Sequence, residues 1–314
     1  MLVLEPQTRL PGGGTIAMKP AKRLAQNVMR GLLRLCPNRV LFRIVLPVVR
    51  RLPEKPSYGM LRLFPPHRRT VLNDYLGDLR VNINTVYPIE RLVLRGRYEP
   101  DTEAMVMRFV RPGHVCVDAG ANIGAITMAL AKQSSPGGRV FAFEPGPGVF
   151  LRLTDNLALN PDLRCVVTSE NVGLSDKEGV LRWKEDEGHP GNAGFCGVGE
   201  HEGQAVRVTT LDHYFESARL ARLDFVKIDV EGMELEVIRG AMGILARHRP
   251  VLCFETFAEF EGLRGMPLFA PIEGLLRSLD YLLYRVEPGG HIVETRAPNF
   301  TINTLAVPRG HETT

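Results

Sequence analysis

Long apolar runs are missing from this sequence of 314 residues. A helix that spans a membrane needs roughly 18 or more consecutive apolar residues, whereas the longest apolar run here, residues 40–49, contains Arg43 and Pro47. The first residues also lack the basic start followed by an apolar stretch that marks a secretory signal peptide. We therefore expect a cytoplasmic protein without a membrane span.

Paired cysteines and metal-ligand spacings are missing as well. The chain has five cysteines, and their spacing matches neither a zinc site nor a disulfide framework: Cys36, Cys116, Cys165, Cys196 and Cys253. We expect these cysteines to be reduced, and we expect no metal site.

Acidic residues are scarce at one end of the chain. Residues 1–70 hold 14 Lys and Arg residues against two Asp and Glu residues, a net charge of +12, while the remainder carries −8. Such a segment either meets an anionic surface, such as lipid head groups or nucleic acid, or is a solvated arm. The spacing of Leu and Val over residues 21–35 predicts a basic amphipathic helix, which packs on the main domain or lies on a membrane surface. We predict a helical, partly flexible extension over residues 1–85 and a main domain over residues 86–314.

Short apolar runs alternate with helical stretches beyond residue 100, a pattern typical of a mostly parallel sheet flanked by helices. The predicted strands are residues 115–119, 139–144, 165–173, 224–232, 251–255, 281–287 and 302–308. Predicted helices cover residues 123–132 and 148–160 and begin again at Met233. A Gly-rich polar stretch over residues 188–203 interrupts this order. The sequence therefore predicts an α/β domain whose last strands pair antiparallel.

The first motif, VDAGANIG, turns from a strand that contains Asp118 through Gly120 and Gly124 into a helix. Glycine suits such a turn because a ligand can approach the backbone closely there. The pyrophosphate-binding fingerprint of dinucleotide sites is not met, since Asn122 stands where it requires its second glycine. The loop better suits the methionine end of S-adenosylmethionine, with Asp118 accepting from the ammonium group directly or through water. The alternative is a tight turn with no ligand.

Two further motifs place acids at strand ends. Glu144 ends the second strand, where a carboxylate can accept hydrogen bonds from both hydroxyls of a ribose. In KIDVEGMELEVIRGA, Lys227 and Asp229 fall on one side of a strand, and Glu231 and Glu234 fall in the first turns of a helix. Acids there often complement the helix dipole. Asp229 is different, because it ends a central strand, where ligands of this fold class bind.

The motifs VDAGANIG, FAFEPGPGVFLRLTDNLALN, TTLD and VKIDVEGMELEVIRGA, in this order, resemble the FkbM methyltransferase family over roughly residues 90–310. The resemblance implies a Rossmann-like class I methyltransferase sheet of seven strands, S-adenosylmethionine as donor, and O-methylation of a hydroxyl on a sugar, glycan, glycolipid or natural product. The site residues that it implies are Asp118, Gly120, Asn122 and Gly124 for the methionine portion, Glu144 for the ribose, and Asp229 and Glu231 at the reaction centre. We add Asn171, which follows the third strand, to the predicted cofactor contacts.

An alcohol acceptor must lose a proton, so the site needs a general base. We expect Asp229, Glu231 or Glu255 to serve, ahead of His189 and His213, whose surroundings repeat no catalytic pattern.

The stretch GHPGNAGFCG is predicted either to be a loop over the crevice or to be an ordinary connection. As a loop it would let Asn192 meet the acceptor and let Phe195 exclude water.

Other functional classes remain open from sequence alone. A nucleic-acid methyltransferase would use the basic segment to bind phosphates, yet residues 1–70 hold few aromatic side chains for base stacking. A catalytically silent binding protein would be favoured by loss of Asp118 or Glu144, and both are present. A peripheral membrane enzyme that acts on a lipid-linked glycan would use the basic segment to bind anionic lipid.

Overall fold

The computed structural model describes residues 46–52, 61, 69–185, 193–195, 203–255, 269–295 and 303–311. The predicted helix over residues 21–35 lies outside these residues, as do His189 and Asn192. Within the described ranges, no helix is long and apolar enough to cross a membrane.

The chain divides into two compact units, Met1–His67 and Arg68–Thr314. In the first unit the structure describes one short helix, α1 (Leu46–Arg51), which buries Leu46 and Val49.

The second unit begins with a β-hairpin in a part of the chain that we expected to be a helical extension. Strands β1 (Arg69–Tyr75) and β2 (Leu79–Asn84) pair antiparallel. Apolar and polar residues alternate along β2, and Val81 and Ile83 are fully buried. This alternation is the pattern of a strand with one buried face, and it explains why residues 69–84 belong to the second unit rather than to an extension that ends at residue 85.

An eight-stranded sheet forms the centre of the second unit. Its strands are β3 (Val115–Ala119), β4 (Arg139–Phe143), β5 (Val167–Glu170), β10 (Phe225–Ile228), β11 (Val251–Glu255), β12 (Tyr281–Glu287), β13 (His291–Glu294) and β14 (Asn303–Pro308). Their order is β13-β12-β14-β11-β10-β3-β4-β5. Strands β3, β4, β5, β10 and β11 are parallel, and β14 is antiparallel to both of its neighbours. The predicted Rossmann-like methyltransferase sheet is confirmed. One edge strand, β13, adds to the seven that we predicted.

Helices cover the sheet. They are α2 (Pro88–Val93), α3 (Pro100–Phe109), α4 (Ala125–Ser134), α5 (Pro147–Ala158), α6 (Pro161–Arg164), α7 (Leu211–Ser217), α8 (Glu234–Arg239), α9 (Met242–His248) and α10 (Phe269–Ser278). One continuous core joins α7, α8, α9 and α10 to side chains that alternate along the strands, such as Val117 and Val226. The intervening residue of β3, Asp118, meets α4 through Thr127.

A second sheet, in the order β6-β9-β7-β8, occupies the stretch where the sequence pattern is interrupted. Its strands are β6 (Gly173–Leu174), β7 (Gly179–Glu185), β8 (Ala193–Phe195) and β9 (Gln204–Thr209). Most of the stretch over residues 188–197, which we expected to be a loop or connection, lies outside the described residues, and residues 193–195 within it form β8.

The helix that we expected to continue beyond Met233 breaks into α8 and α9 at Gly240. A β-carbon on Gly240 would lie 2.0 Å from the Ser175 carbonyl oxygen, so the chain passes too close for a side chain. Asp212 of the TTLD motif accepts hydrogen bonds from the backbone N–H groups of Gly243 and Ile244, both at 2.8 Å. Because these N–H groups belong to the first turn of α9, Asp212 caps that helix.

Candidate functional site

A crevice opens beside the carboxyl ends of β3 and β10. The order of the parallel strands reverses between these two, since β4 and β5 follow on one side and β11 on the other. Open α/β sheets bind ligands at such a switch point. The polar side chains in the lining are Glu90, Tyr98, Glu99, Asn122, Lys227 and Asp229, together with backbone from Gly120 to Ile123.

The loop after β3 forms one wall. Three of its residues have left-handed backbone: Gly120 at φ 78°, Asn122 at φ 50° and Gly124 at φ 90°. A β-carbon on Gly120 would lie 1.8 Å from the carbonyl oxygen of Asp229. Only glycine allows this approach, which brings the loops after β3 and β10 into direct contact.

Lys227 links the two loops from within. Its Nζ donates to Asp229 Oδ2 at 3.1 Å and to the Gly120 carbonyl at 3.2 Å, and it lies 3.6 Å from Asp118 Oδ1. Burial lowers the pKa of the ammonium, but the carboxylates of Asp229 and Asp118 raise it by more than burial lowers it. The net pKa is therefore well above its usual value. Lys227 is therefore a permanent cation between two acids.

Asp118 is fully buried and does not line the crevice. Thr127 Oγ1 donates to its Oδ2 at 2.6 Å, and among the described residues its Oδ1 has no hydrogen-bond partner. Burial raises the pKa of the carboxyl, whereas Lys227 and Thr127 lower it. In this structure Asp118 stabilises Lys227, and its predicted contact with a cofactor stays a prediction.

Glu144 lies just beyond β4 and is not among the residues that line the crevice. Its Oε2 accepts from the Asn122 N–H and its Oε1 from the Gly146 N–H, both at 2.9 Å. Burial raises its pKa to about 7, although these hydrogen bonds oppose the shift. Asn171 donates to the Glu144 backbone carbonyl at 2.8 Å. Asn171 therefore holds the strand end through the backbone of Glu144. Each side-chain oxygen of Glu144 accepts one of the hydrogen bonds given above and can accept another from a second donor.

Trp183 of β7, the only tryptophan of the chain, packs against Gly146. A β-carbon on Gly146 would lie 2.4 Å from the edge of the indole ring. We had assigned Trp183 no part in the site. Trp183 is far from Gly146 in the sequence, so no local sequence pattern indicates this contact.

The acids after β10 and β11 form a group around Asp229. Glu231 has a left-handed backbone at φ 54°, and burial with the nearby charge of Asp229 raises its pKa to about 7. Glu255 ends β11, and burial together with Asp229 and Glu99 raises its pKa well above the usual range. Glu234 Oε1 accepts from the backbone N–H groups of Val230 and Gly232, so it shapes this turn.

Tyr98 and Glu99 line the crevice, and the sequence analysis did not single them out. Glu99 is the N-cap of α3 with a left-handed backbone, φ 47° and ψ 69°, and Pro100 begins the helix. The Thr102 hydroxyl donates to Glu99 Oε2 at 3.1 Å. An acid followed by proline is a helix-start signal, but it does not tell which side chain faces a crevice.

The remaining predicted residues lie elsewhere or outside the described part. His213 is on α7, where its Nε2 lies 3.3 Å from Glu178, and it does not line the crevice. Phe195 belongs to β8, whose side chains are not described.

Comparison with known proteins identifies the family. Residues 118–283, more than half of the chain, match the methyltransferase FkbM domain. The chain belongs to the FkbM methyltransferase family. The resemblance inferred from the motifs is thereby confirmed, and membership implies S-adenosylmethionine as the cofactor.

Individual relatives cover only part of the chain. It is 34% identical over 154 residues to methyltransferase sdnD of Sordaria araneosa, covering 40% of this chain and 59% of that protein. It is 32% identical over 168 residues to the hexuronic acid methyltransferase AglP of Haloferax volcanii, covering 53% of this chain and 65% of that protein. The chain therefore matches less than two thirds of either relative. The crystal structure of methyltransferase FkbM from Methylobacillus flagellatus matches 81% of this chain and 58% of that one at 17% identity, with a TM-score of 0.44.

The residues present fit S-adenosylmethionine. Gly120 leaves the loop backbone bare at the crevice, and Glu144 offers two oxygens at the next strand end. Glu99 and Asp229 give the crevice the negative charge that suits a cationic ligand.

Proposed function

We propose that this chain is an S-adenosylmethionine-dependent O-methyltransferase that acts on a hydroxyl of a sugar, glycan, glycolipid or natural product. One observation carries the proposal: Gly120, Asp229 and Lys227 meet in a single crevice, beside which Glu144 ends the next strand. The relative AglP is named for methylation of a hexuronic acid, which favours a sugar-type acceptor.

When bound, S-adenosylmethionine supplies a methyl group on a positively charged sulfur. Glu144 accepts hydrogen bonds from the two ribose hydroxyls with the lone pairs that Asn122 and Gly146 leave. The backbone of Gly120 and Asn122 holds the amino-acid portion. Gly124, at the N-terminus of α4, lets the chain turn away from the ligand.

Asp229 is placed to accept the proton of the acceptor hydroxyl. It lines the crevice, and Lys227 neutralises part of its charge. Glu231 is the second choice, since it lies two residues beyond Asp229 in the loop after β10. Glu255 is a weaker choice than either, because its raised pKa keeps it protonated at neutral pH. Positioning the hydroxyl and excluding water supply the remaining catalysis.

The first experiment combines binding and turnover. Calorimetry with S-adenosylhomocysteine should give micromolar affinity that Glu144→Gln weakens at least tenfold, and Asp229→Asn should abolish transfer of labelled methyl groups to uronic-acid glycosides while retaining cofactor binding. Asp162→Asn, on an exposed residue of α6, is the matched control and should change neither. A folded wild-type protein that binds no adenosyl ligand would refute the proposal and favour a silent fold.

The basic N-terminal segment supports a second, separate proposal, contact with an anionic membrane surface. Replacing Lys22, Arg23, Arg30 and Arg34 by glutamine in the full chain should reduce flotation with phosphatidylglycerol vesicles and leave neutral vesicles unaffected. Equal flotation of both proteins would refute it. Strongly salt-dependent binding to RNA or DNA instead would favour the nucleic-acid alternative.

A further inference from the structure

One acid in the crevice is not held in a direct ion pair with a described cation. Lys227 is already engaged by Asp118 and Asp229. Arg152 forms a two-pronged ion pair with Glu90. Glu99 has no ion pair of this kind within the described part of the chain, although it lines the same crevice.

Backbone conformation and hydrogen bonds define the position of Glu99. Its left-handed backbone is unfavourable for a residue other than glycine, and such strain is retained where the surroundings fix a functional side chain. Hydroxyl groups of Thr102 and Tyr98 hydrogen bond to its carboxylate. Burial raises its pKa to about 7, and Lys227 lowers it only in part. A cationic ligand in the crevice would stabilise the ionised form.

We propose that Glu99 binds the α-ammonium group of the cofactor's amino-acid portion, a role that the sequence had suggested for Asp118. This inference rests on the proposed function, because it assumes an adenosyl amino acid as the ligand. Asp118 is fully buried and turned toward Thr127 and Lys227, whereas Glu99 lines the crevice together with Gly120. Glu99 is thus the acid with access to the ligand.

Calorimetric titration with three adenosyl thioethers shows which group of the ligand Glu99 binds. S-adenosylhomocysteine has both the ammonium and the carboxylate, 5′-(3-aminopropylthio)-5′-deoxyadenosine keeps only the ammonium, and 5′-methylthioadenosine has neither. Glu99→Gln should lower the affinity for the two ligands that carry the ammonium about tenfold or more, as loss of a charge-assisted hydrogen bond does. It should leave the affinity for 5′-methylthioadenosine unchanged. Glu144→Gln should weaken all three, since each contains the ribose.

Each outcome decides the question. Equal affinity of wild type and Glu99→Gln for S-adenosylhomocysteine would overturn the inference, and so would a loss that extends to 5′-methylthioadenosine. Normal cofactor binding with abolished turnover would assign Glu99 to the acceptor instead. If wild type binds none of the three, the proposed function itself fails. Should Glu99→Gln not fold, Glu99→Asp, which retracts the charge by one methylene, should give an intermediate loss confined to the two amines.

Discussion

Replacing Lys227 by methionine tests the electrostatics on which the crevice depends. Lys227 is only 5% exposed, and its ammonium lies between the carboxylates of Asp118 and Asp229. Methionine fills similar space without charge and leaves both acids without a cation. Removing one partner of a buried ion pair typically destabilises a protein by about 3–5 kcal/mol, and we expect a loss of this size at pH 8.

The loss should depend on pH with a defined sign. Burial raises the pKa of Asp118 above its unfolded value, and Lys227 opposes that shift, so its removal raises the folded pKa further. A carboxyl whose pKa is raised in the folded state contributes stability below its unfolded pKa, near 3.9, and loses it as pH rises through the folded pKa. Lys227→Met should therefore be much less damaging at pH 5 than at pH 8.

Urea unfolding followed by the fluorescence of Trp183, the only tryptophan, measures this stability. Lys132→Met is the matched control, since Lys132 forms an exposed ion pair with Asp78, and we expect it to lose less than about 1 kcal/mol. The double variant Asp118→Asn with Lys227→Met should recover part of the loss. Equal losses for the two lysine variants, or a Lys227→Met loss independent of pH, would refute the reasoning.

Three further predictions concern the loops around the cofactor. Gly146→Ala should lower stability and adenosine affinity together by pushing Trp183 aside, whereas Gly148→Ala, where a β-carbon meets nothing within 4 Å, should change neither in urea and binding titrations. Affinity for 5′-methylthioadenosine should rise as pH increases from 6 to 8, because Glu144 ionises near pH 7 and the carboxylate accepts from the ribose; a flat calorimetric profile would contradict this. Gly120→Ala should prevent formation of the crevice, since its β-carbon would meet the Asp229 carbonyl; a native thermal midpoint with full cofactor affinity would count against this contact.

The central sheet was predictable because its strands are buried on both faces and read as continuous apolar runs. Residues 115–119 and 251–255 were predicted as strands and form β3 and β11 with the same bounds. Parallel strands end at one edge, so Asp118, Glu144 and Asp229 were expected to be close together. The described structure places them around one crevice and its adjoining loop.

Other features depend on contacts between distant parts of the chain. Gly240, between α8 and α9, passes too close to Ser175 for a side chain, and Asp212 caps α9 from 31 residues away. Edge strand β13 is short and mostly exposed, so it lacks an apolar signature. Glu99 was missed because no local pattern shows that a residue with a left-handed backbone before α3 lines the crevice.

Asp118 shows why a motif residue and a ligand contact need separate evidence. It is fully buried, and it stabilises Lys227, which in turn joins the Gly120 carbonyl to Asp229. A substitution at Asp118 would therefore disturb both walls of the crevice without any direct contact between its carboxylate and the ligand. Weaker cofactor binding by such a variant fits either role. Ligands that differ only in the ammonium group separate the two, because a structural defect weakens every adenosyl ligand, whereas loss of a direct contact weakens only those that carry the group it binds.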